Sequence, residues 1–227
     1  MLMQRHFEQE LESLKTTLIK MGSIAEESLR LSVRSLLDYD KKLAQQIIDS
    51  DDRINMLEID IDNAIVDLLA LQQPVAIDLR LILAAQKINN DLERIGDHAV
   101  NIAESAIQML SLGCGTAFSE LPAMGTLAQT MLRDALDGFI HNDPKLGNTV
   151  LTQDDVIDEM NRRVVQEVIR RMKSDHNTIE CGLEMIRVSR NLERVADLAT
   201  NIAEEVIFIA QARVVKHHAE EQNSDQQ

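Results

Sequence analysis

The sequence contains a long internal repeat. Residues 21–54 match residues 124–157 without a gap, 103 positions further along the chain. Beyond this stretch the offset falls to 100, and residues 91–104 match residues 191–204 at nine of fourteen positions. A duplication of this length predicts two copies of one supersecondary unit, so the fold has to accommodate the same unit twice.

Each copy is predicted to contain three long helices. Apolar residues recur every three or four positions in six segments, and turn-forming residues separate these segments. The chain has only eight Gly, three Pro and 2% aromatic residues, which disfavours an architecture of strands and tight turns. The six predicted helices are 5–37, 41–72, 76–111, 119–141, 145–173 and 177–213.

Short loops between consecutive helices predict antiparallel neighbours. We therefore expect an all-α protein made of two tandem three-helix bundles, related by an internal pseudo-two-fold duplication. The predicted boundaries are 1–112 for the first repeat and 116–213 for the second. A tail at 214–227 loses the apolar period and is expected to be disordered. One continuous six-helix array or a long coiled coil is the alternative arrangement.

Charge and composition limit the kinds of partner and the cellular location that we expect. A net charge of −15 and a pI near 4.8 disfavour binding to nucleic acid and favour cations or basic protein surfaces. The chain has no run of about 18 apolar residues and starts with a polar segment, so we expect a cytoplasmic protein that meets a membrane only through partners. The spacing of Cys114 and Cys181 fits neither a metal knuckle nor a disulfide scaffold, which predicts two reduced cysteines.

The third predicted helix of each copy has an acidic stripe with oxygen-bearing side chains at i, i+4 and i+8. The six residues are Glu93, Asp97 and Asn101 in the first copy, and Glu193, Asp197 and Asn201 in the second. Two carboxylates one turn apart repel each other, and a bound cation would relieve this repulsion. A solvated helix face with no ligand is the alternative interpretation.

Oxygen donors are hard ligands that select Mg²⁺, Ca²⁺, Mn²⁺ or ferric iron, and zinc remains an alternative. The second predicted helices add further carboxylates, from which we select Asp52 and Asp155 as second-tier metal ligands. The sequence lacks a Glu-x-x-His di-iron motif, a Gly-rich phosphate loop and a nucleophile elbow. His98 has Leu198 as its counterpart, which favours a structural role for this histidine.

These motifs resemble the PhoU family of phosphate-signalling regulators. The resemblance depends on Leu-Glu-Arg-Ile-Gly-Asp-His-Ala-Val-Asn-Ile-Ala-Glu in the first copy and Leu-Glu-Arg-Val-Ala-Asp-Leu-Ala-Thr-Asn-Ile-Ala-Glu in the second. The segment Gln-Pro-Val-Ala-Ile-Asp-Leu-Arg at 73–80 adds to it. The resemblance extends from about residue 8 to residue 212, nearly the whole chain.

The resemblance implies a cytoplasmic negative regulator of the phosphate-starvation response that is not an enzyme. Such a protein links the ATPase subunit of the phosphate ABC transporter to a membrane histidine kinase. The resemblance also implies multinuclear metal clusters, of iron or zinc, bound through Glu93 with Asp97 and Glu193 with Asp197. Separately from the resemblance, the long amphipathic helices favour a homodimer, although no heptad run demands one.

The second copy differs from the first at residues near the predicted metal site. Asn191 stands where the first copy has Asp91, which predicts a second metal site with one acidic group fewer. Ser174, Thr178 and Glu180 replace Pro74, Asp78 and Arg80, so the surface around Arg80 is expected to be specific to the first copy.

The rival functions are a metal-dependent hydrolase or metal-handling protein, and a structural helical scaffold.

Overall fold

The computed structural model describes residues 2–114 and 120–212, and within these two stretches it contains helices and no strand. The predicted all-α class and the duplicated three-helix unit are confirmed. The predicted tail at 214–227 lies outside the described residues. The helices are α1 Leu2–Asp38, α2 Lys41–Ser50, α3 Asp52–Gln72, α4 Ala76–Ser111, α5 Glu120–His141, α6 Pro144–Ser174 and α7 Ile179–Gln211.

The second predicted helix of the first copy is interrupted at Asp51. Residues 41–72 were predicted to form one helix, but they form α2 and α3. The backbone amide of Asp51 donates to the carbonyl of Ile48, three residues back, at 3.5 Å, which tightens the chain locally. The equivalent residue of the second copy, Asp154, lies inside the uninterrupted α6. Before α7, a short 3₁₀ turn at His176–Thr178 takes the place of the predicted helix start at 177.

Equivalent turns end the first helix of each copy in the same way. Tyr39 and Asn142 adopt left-handed conformations, with φ of 54° and 51°. The next residue, Asp40 or Asp143, donates its backbone amide to a carbonyl five residues back at 2.9 Å in both copies. Its carboxylate then caps the following helix by accepting backbone N–H groups. The duplication therefore extends from the sequence to the geometry of the turns.

Helices α1 and α5 pack against each other reciprocally. A Cβ added at Gly22 would lie 2.8 Å from Leu136 Cδ2, and one added at Gly125 would lie 2.7 Å from Val33 Cγ1. Gly22 and Gly125 are equivalent positions, and so are Val33 and Leu136. Each copy thus places a glycine against the branched side chain of the other, as a pseudo-two-fold axis between them requires.

Helices α4 and α7 occupy the centre of the molecule. Helix α4 packs against α1, α2, α3 and α7, while α7 also packs against α5 and α6. One hydrophobic cluster extends through both copies and includes Ile95 and Val195 at equivalent positions of these two helices. The contact between α4 and α7 forms the seam between the copies. None of the helices in the described stretches is both long enough and apolar enough to span a membrane.

The expectation of two reduced cysteines is wrong. Cys114 and Cys181 form a disulfide with a Cα–Cα distance of 5.7 Å. The two residues are 67 positions apart, and their spacing in the sequence gives no sign of the pairing. The fold brings the end of the first copy, just after α4, against the first turn of α7. The bond therefore ties the junction between the copies to the central helix of the second copy.

Candidate metal centre

The first acidic cluster combines residues from α3 and α4. Glu93 and Asp97 lie one turn apart on α4, and Asp51 and Glu58 face them from the α3 side. Burial raises the pKa of Glu93, and the negative charges of Asp97, Glu58 and Asp51 raise it further. Four carboxylates therefore lie in one electrostatic environment, in which the charges of the other three disfavour the ionisation of Glu93.

A glycine on α4 lets Asp51 approach the stripe. A Cβ added at Gly96 would lie 2.8 Å from Ile54 Cδ1 and 3.5 Å from Asp51 Oδ1. The other oxygen of Asp51, Oδ2, accepts a hydrogen bond from Asn55 Nδ2 at 3.2 Å. Burial raises the pKa of Asp51, and the charge of Asp97 adds to this effect. The absence of a side chain at position 96 therefore brings the start of α3 against the acidic face of α4.

The second acidic cluster repeats this arrangement on α6 and α7. Burial raises the pKa of Asp197 to about 6, and the charges of Glu193, Asp154 and Asp158 contribute to the shift. Asp154 also accepts a hydrogen bond from Thr200 Oγ1 at 3.3 Å. Both copies thus place the Glu-x-x-x-Asp pair of their third helix against two carboxylates of their second helix.

The second-tier ligands chosen from the sequence, Asp52 and Asp155, are both exposed. The preceding residues, Asp51 and Asp154, face the stripes instead. One residue along a helix is a rotation of about 100°, so a one-position error moves a side chain to another face. The signal that could have identified Asp51 was its position three residues before Ile54, which is buried.

Asn101 and Asn201 lie on the seam between the copies and not on the stripes. Asn101 Oδ1 accepts a hydrogen bond from Arg187 Nη2 at 3.0 Å. Asn201 is hydrogen-bonded to Asp91, a residue of α4. Eight residues along a helix is a rotation of about 80° from the start, which turns the third member of each i, i+4, i+8 series away from the first two. Each asparagine therefore contacts a residue of the opposite copy and does not complete the stripe of its own copy.

Asp91 also faces the seam. Its side chain is only 12% exposed and lies 3.8 Å from Arg94 Nη1. Burial raises its pKa to about 6, against the opposing effects of Arg94, the hydrogen bond from Asn201 and Lys87, while Glu205 adds to the increase. Because Asp91 is directed away from the stripe, its replacement by Asn191 removes no carboxylate from the second cluster. The second cluster therefore does not have one acidic group fewer than the first, as the sequence had led us to expect.

His98 contacts the opposite copy. Its Nδ1 lies 2.8 Å from Asn191 Oδ1, across the seam. Burial lowers the pKa of His98, so the neutral imidazole is favoured, and the Nδ1 proton is donated to the asparagine oxygen in that tautomer. This contact agrees with the structural role expected for His98 from its replacement by Leu198.

The donor chemistry of the two clusters fits hard cations. Their side chains offer only carboxylate oxygens. In the first cluster Arg94 is paired with Asp91, whereas in the second Arg194 lies 3.7 Å from Asp197 and offsets part of the negative charge. Across residues 2–114 and 120–212, however, no three His, Cys, Asp or Glu side chains are arranged as a ready-made metal site. The carboxylates are therefore suited to an ion by chemistry, and side-chain movement would have to complete the coordination.

Together, the fold and the clusters define a class of duplicated helical-repeat protein with one acidic cluster in each repeat. The PhoU domain model matches this chain twice, at residues 18–106 and 121–206. A phosphate-specific transport system accessory protein PhoU homolog from Pseudomonas aeruginosa is 38% identical over 214 residues, covering 94% of this chain and 88% of that protein. The chain belongs to the PhoU family.

Solved structures agree with this assignment. The crystal structure of PhoU from Pseudomonas aeruginosa superposes with a TM-score of 0.88 at 37% identity, covering 91% of this chain and 100% of the other. The phosphate transport system regulatory protein PhoU from Streptococcus pneumoniae gives a TM-score of 0.86 at 29% identity, covering 93% and 100% of the two chains. The likeness therefore includes both repeats and the way in which they pack together.

Proposed function

We propose that this protein is a cytoplasmic negative regulator of the phosphate-starvation response and acts without catalysing a reaction. In this role it binds the ATPase subunit of a phosphate ABC transporter and a membrane histidine kinase, and it keeps the kinase from activating its response regulator when phosphate is plentiful. Family membership over nearly the full chain is the observation that supports this function, because relatives such as the Pseudomonas aeruginosa protein are named as accessory proteins of phosphate transport.

Metal ions are the proposed cofactor, with iron or zinc first and Mg²⁺, Mn²⁺ or Ca²⁺ as alternatives. Glu93 and Asp97 would hold the ions of the first repeat, with Asp51 and Glu58 beside them. Glu193 and Asp197, with Asp154 and Asp158, would do the same in the second repeat. Bound cations supply positive charge, which offsets the repulsion within each cluster and favours one packing of the second and third helices of a repeat.

A cellular assay tests the regulatory function. The gene is expressed in a bacterium whose own family member has been deleted, and a phosphate-starvation promoter is monitored at high phosphate. We expect the wild-type protein to restore repression of the promoter. In a strain that also lacks the histidine kinase, we expect the promoter to be inactive with or without the protein. Full promoter activity in the presence of the folded protein would contradict the proposal.

Elemental analysis of untagged protein tests the metal. We expect the wild type to retain at least one metal ion per chain after dialysis, and the Asp97→Ala, Asp197→Ala double variant to lose it. Light scattering on the same samples measures the proposed homodimer. A metal-free wild type after incubation with iron, zinc, manganese and magnesium would contradict the cofactor and leave the two clusters as solvated surfaces.

A further inference from the structure

A groove with unpaired hydrogen-bond donors lies outside the acidic clusters. It has a volume of about 600 Å³ and runs between α1 and the α2–α3 segment of the first repeat. Lys20 and Ser28 line it from α1, Gln46 from α2 and Arg53 from the first turn of α3. Ile24, Leu31 and Ile47 provide an apolar floor. The groove thus combines an apolar floor with side chains that donate hydrogen bonds.

Four donors of this groove have no protein partner within residues 2–114 and 120–212. The hydroxyls of Ser23 and Ser50, which also line it, donate to the carbonyls of Ile19 and Ile47 at 3.0 Å. Neither Lys20 nor Arg53 forms an ion pair, and the side chains of Ser28 and Gln46 make no hydrogen bond there. The one acidic residue on the groove, Glu27, is already paired, since its two carboxylate oxygens accept from Arg30 Nε and Nη2 at 2.7 and 2.6 Å. The groove therefore presents two positive charges that have no ion-pair partner among the described residues, on a chain of net charge −15.

The second repeat shows that these charges are not required by the fold. At the positions equivalent to Lys20 and Arg53 it has Ala123 and Val156. Ser28 is likewise replaced by Met131. The second repeat keeps the three-helix arrangement with neither cation, although Met131 is fully buried where Ser28 is only partly buried. The two cations of the first repeat are consequently free to serve a purpose other than stability.

We propose that this groove binds a small phosphate-bearing anion. A phosphate group offers several acceptor oxygens and a negative charge, which match the ammonium of Lys20, the forked guanidinium of Arg53 and the neutral donors Ser28 and Gln46. Free inorganic phosphate and the phosphate group of a metabolite share this chemistry. The site goes beyond the regulatory function proposed above and does not depend on metal in the acidic clusters.

Equilibrium dialysis of the full-length protein tests the site. The protein is first treated with a chelator, so that phosphate cannot bind to a metal ion. Inorganic phosphate and AMP serve as probes, and sulfate serves as a competitor. We expect saturable binding of one anion per chain, and we expect the tighter of the two probes to identify the source as free phosphate or a phosphomonoester.

The decisive variant exchanges the two cations for the residues of the second repeat, Lys20→Ala with Arg53→Val. We expect this variant to bind the probes at least about tenfold more weakly, the effect of losing two charge-assisted contacts. Lys145→Ala with Lys173→Ala is the matched control, because it removes two exposed lysines of α6 and changes the net charge by the same amount. The control is expected to bind like the wild type.

Three results would overturn the proposal. These are a wild type that binds neither probe, equal weakening in the groove variant and the control, and binding that disappears in the Asp97→Ala, Asp197→Ala variant but persists in the groove variant. A second measurement uses the wild type alone, so it does not depend on the folding of the groove variant. In the wild type, the Arg53 Nε–H resonance should shift on addition of phosphate, and an unshifted resonance at saturating phosphate also counts against the site.

Discussion

The two repeats agree at their acidic clusters and differ in most of the polar groups around them. Both place a Glu-x-x-x-Asp pair against two carboxylates of the preceding helical segment. Only the first has a glycine at the crossing, a basic groove and an aspartate on the seam, where the second has Ala196, Val156 and Asn191. The shared clusters indicate a role common to both halves, whereas the differences indicate roles that belong to the first repeat alone.

The seam shows the same divergence at its two ends. At one end, Arg187 of α7 reaches Glu104 at 2.7 Å and also donates to Asn101, and Glu104 is about half exposed. At the pseudo-symmetric end, Lys87 of α4 reaches Glu205 at 2.5 Å, and the Glu205 side chain is only 10% exposed. The second Glu205 oxygen, Oε2, is buried without a hydrogen-bond partner. The carboxylate of Glu104 is therefore solvated, whereas that of Glu205 is largely buried although Lys87 is about half exposed.

The largest effect is expected at the disulfide that joins the repeats. Replacing Cys114 and Cys181 by serine removes a bond that closes a loop of 67 residues, which in the chain-entropy model lowers the free energy of unfolding by about 4 kcal/mol. Urea unfolding of the oxidised wild type and of the double variant measures the loss. A reductant should destabilise the wild type to the level of the variant and leave the variant unchanged. Equal stability of the oxidised proteins would contradict the pairing.

The next effect compares the two acidic clusters, and it depends on the proposed metal. Because Asp91 faces the seam, both clusters have the same number of carboxylates, so Asp97→Ala and Asp197→Ala should each remove the ions of one repeat only. At a free metal concentration a hundred times the dissociation constant, each loss would lower stability by about 2.7 kcal/mol. Elemental analysis and thermal unfolding of the two single variants measure this. Loss of all metal from one single variant would show that the clusters are coupled.

The helices and the duplication were predictable because they depend on patterns that repeat along the chain. The 3.6-residue apolar period and the constant offset between the copies are properties of the sequence alone. The helix face on which an individual polar side chain lies was less predictable. Choosing Asp52 and Asp155 over Asp51 and Asp154 is a one-position error, which corresponds to a rotation of about 100° around the helix. Extending the stripes to Asn101 and Asn201 neglects the rotation of about 80° over eight residues.

The disulfide and the seam contacts depend on long-range packing, which the sequence pattern does not report. Cys114 follows α4 and Cys181 lies on α7, and only the docking of one repeat on the other brings them together. In the same way, His98 meets Asn191 only because α4 and α7 cross antiparallel at the pseudo-two-fold axis. The sequence showed which polar residues lacked a counterpart in the other copy, but not which of them would become partners.

The third prediction separates the two ends of the seam. Lys87→Met leaves Glu205 buried without its ion pair and should cost about 2 kcal/mol, since an unpaired buried carboxylate bears its desolvation penalty alone. Arg187→Met leaves Glu104 free to be solvated and should cost about 1 kcal/mol or less. Urea unfolding of both variants at pH 8 gives the comparison. Equal losses would mean that the burial of Glu205 has no energetic consequence.

The smallest effect concerns Asp91, which the second repeat replaces with asparagine. Burial raises the pKa of Asp91 to about 6 in the folded protein, above the ordinary aspartate value of 3.8. A raised pKa means that the native state holds its proton more tightly, so the stability from this group is fully present below about pH 4 and is lost as the pH rises through about 6. Ionised Asp91 is therefore unfavourable at pH 8.

Asp91→Asn should accordingly stabilise the chelator-treated protein by about 1 kcal/mol at pH 8, and the gain should shrink on acidification to pH 5 and vanish near pH 4. Urea unfolding at the three pH values measures the gain. Asp60→Asn is the control, because Asp60 is an exposed residue of α3 and its replacement should have no comparable effect. A gain that stays constant with pH would mean that the asparagine acts through packing, and the two repeats would then differ at this position in shape and not in charge.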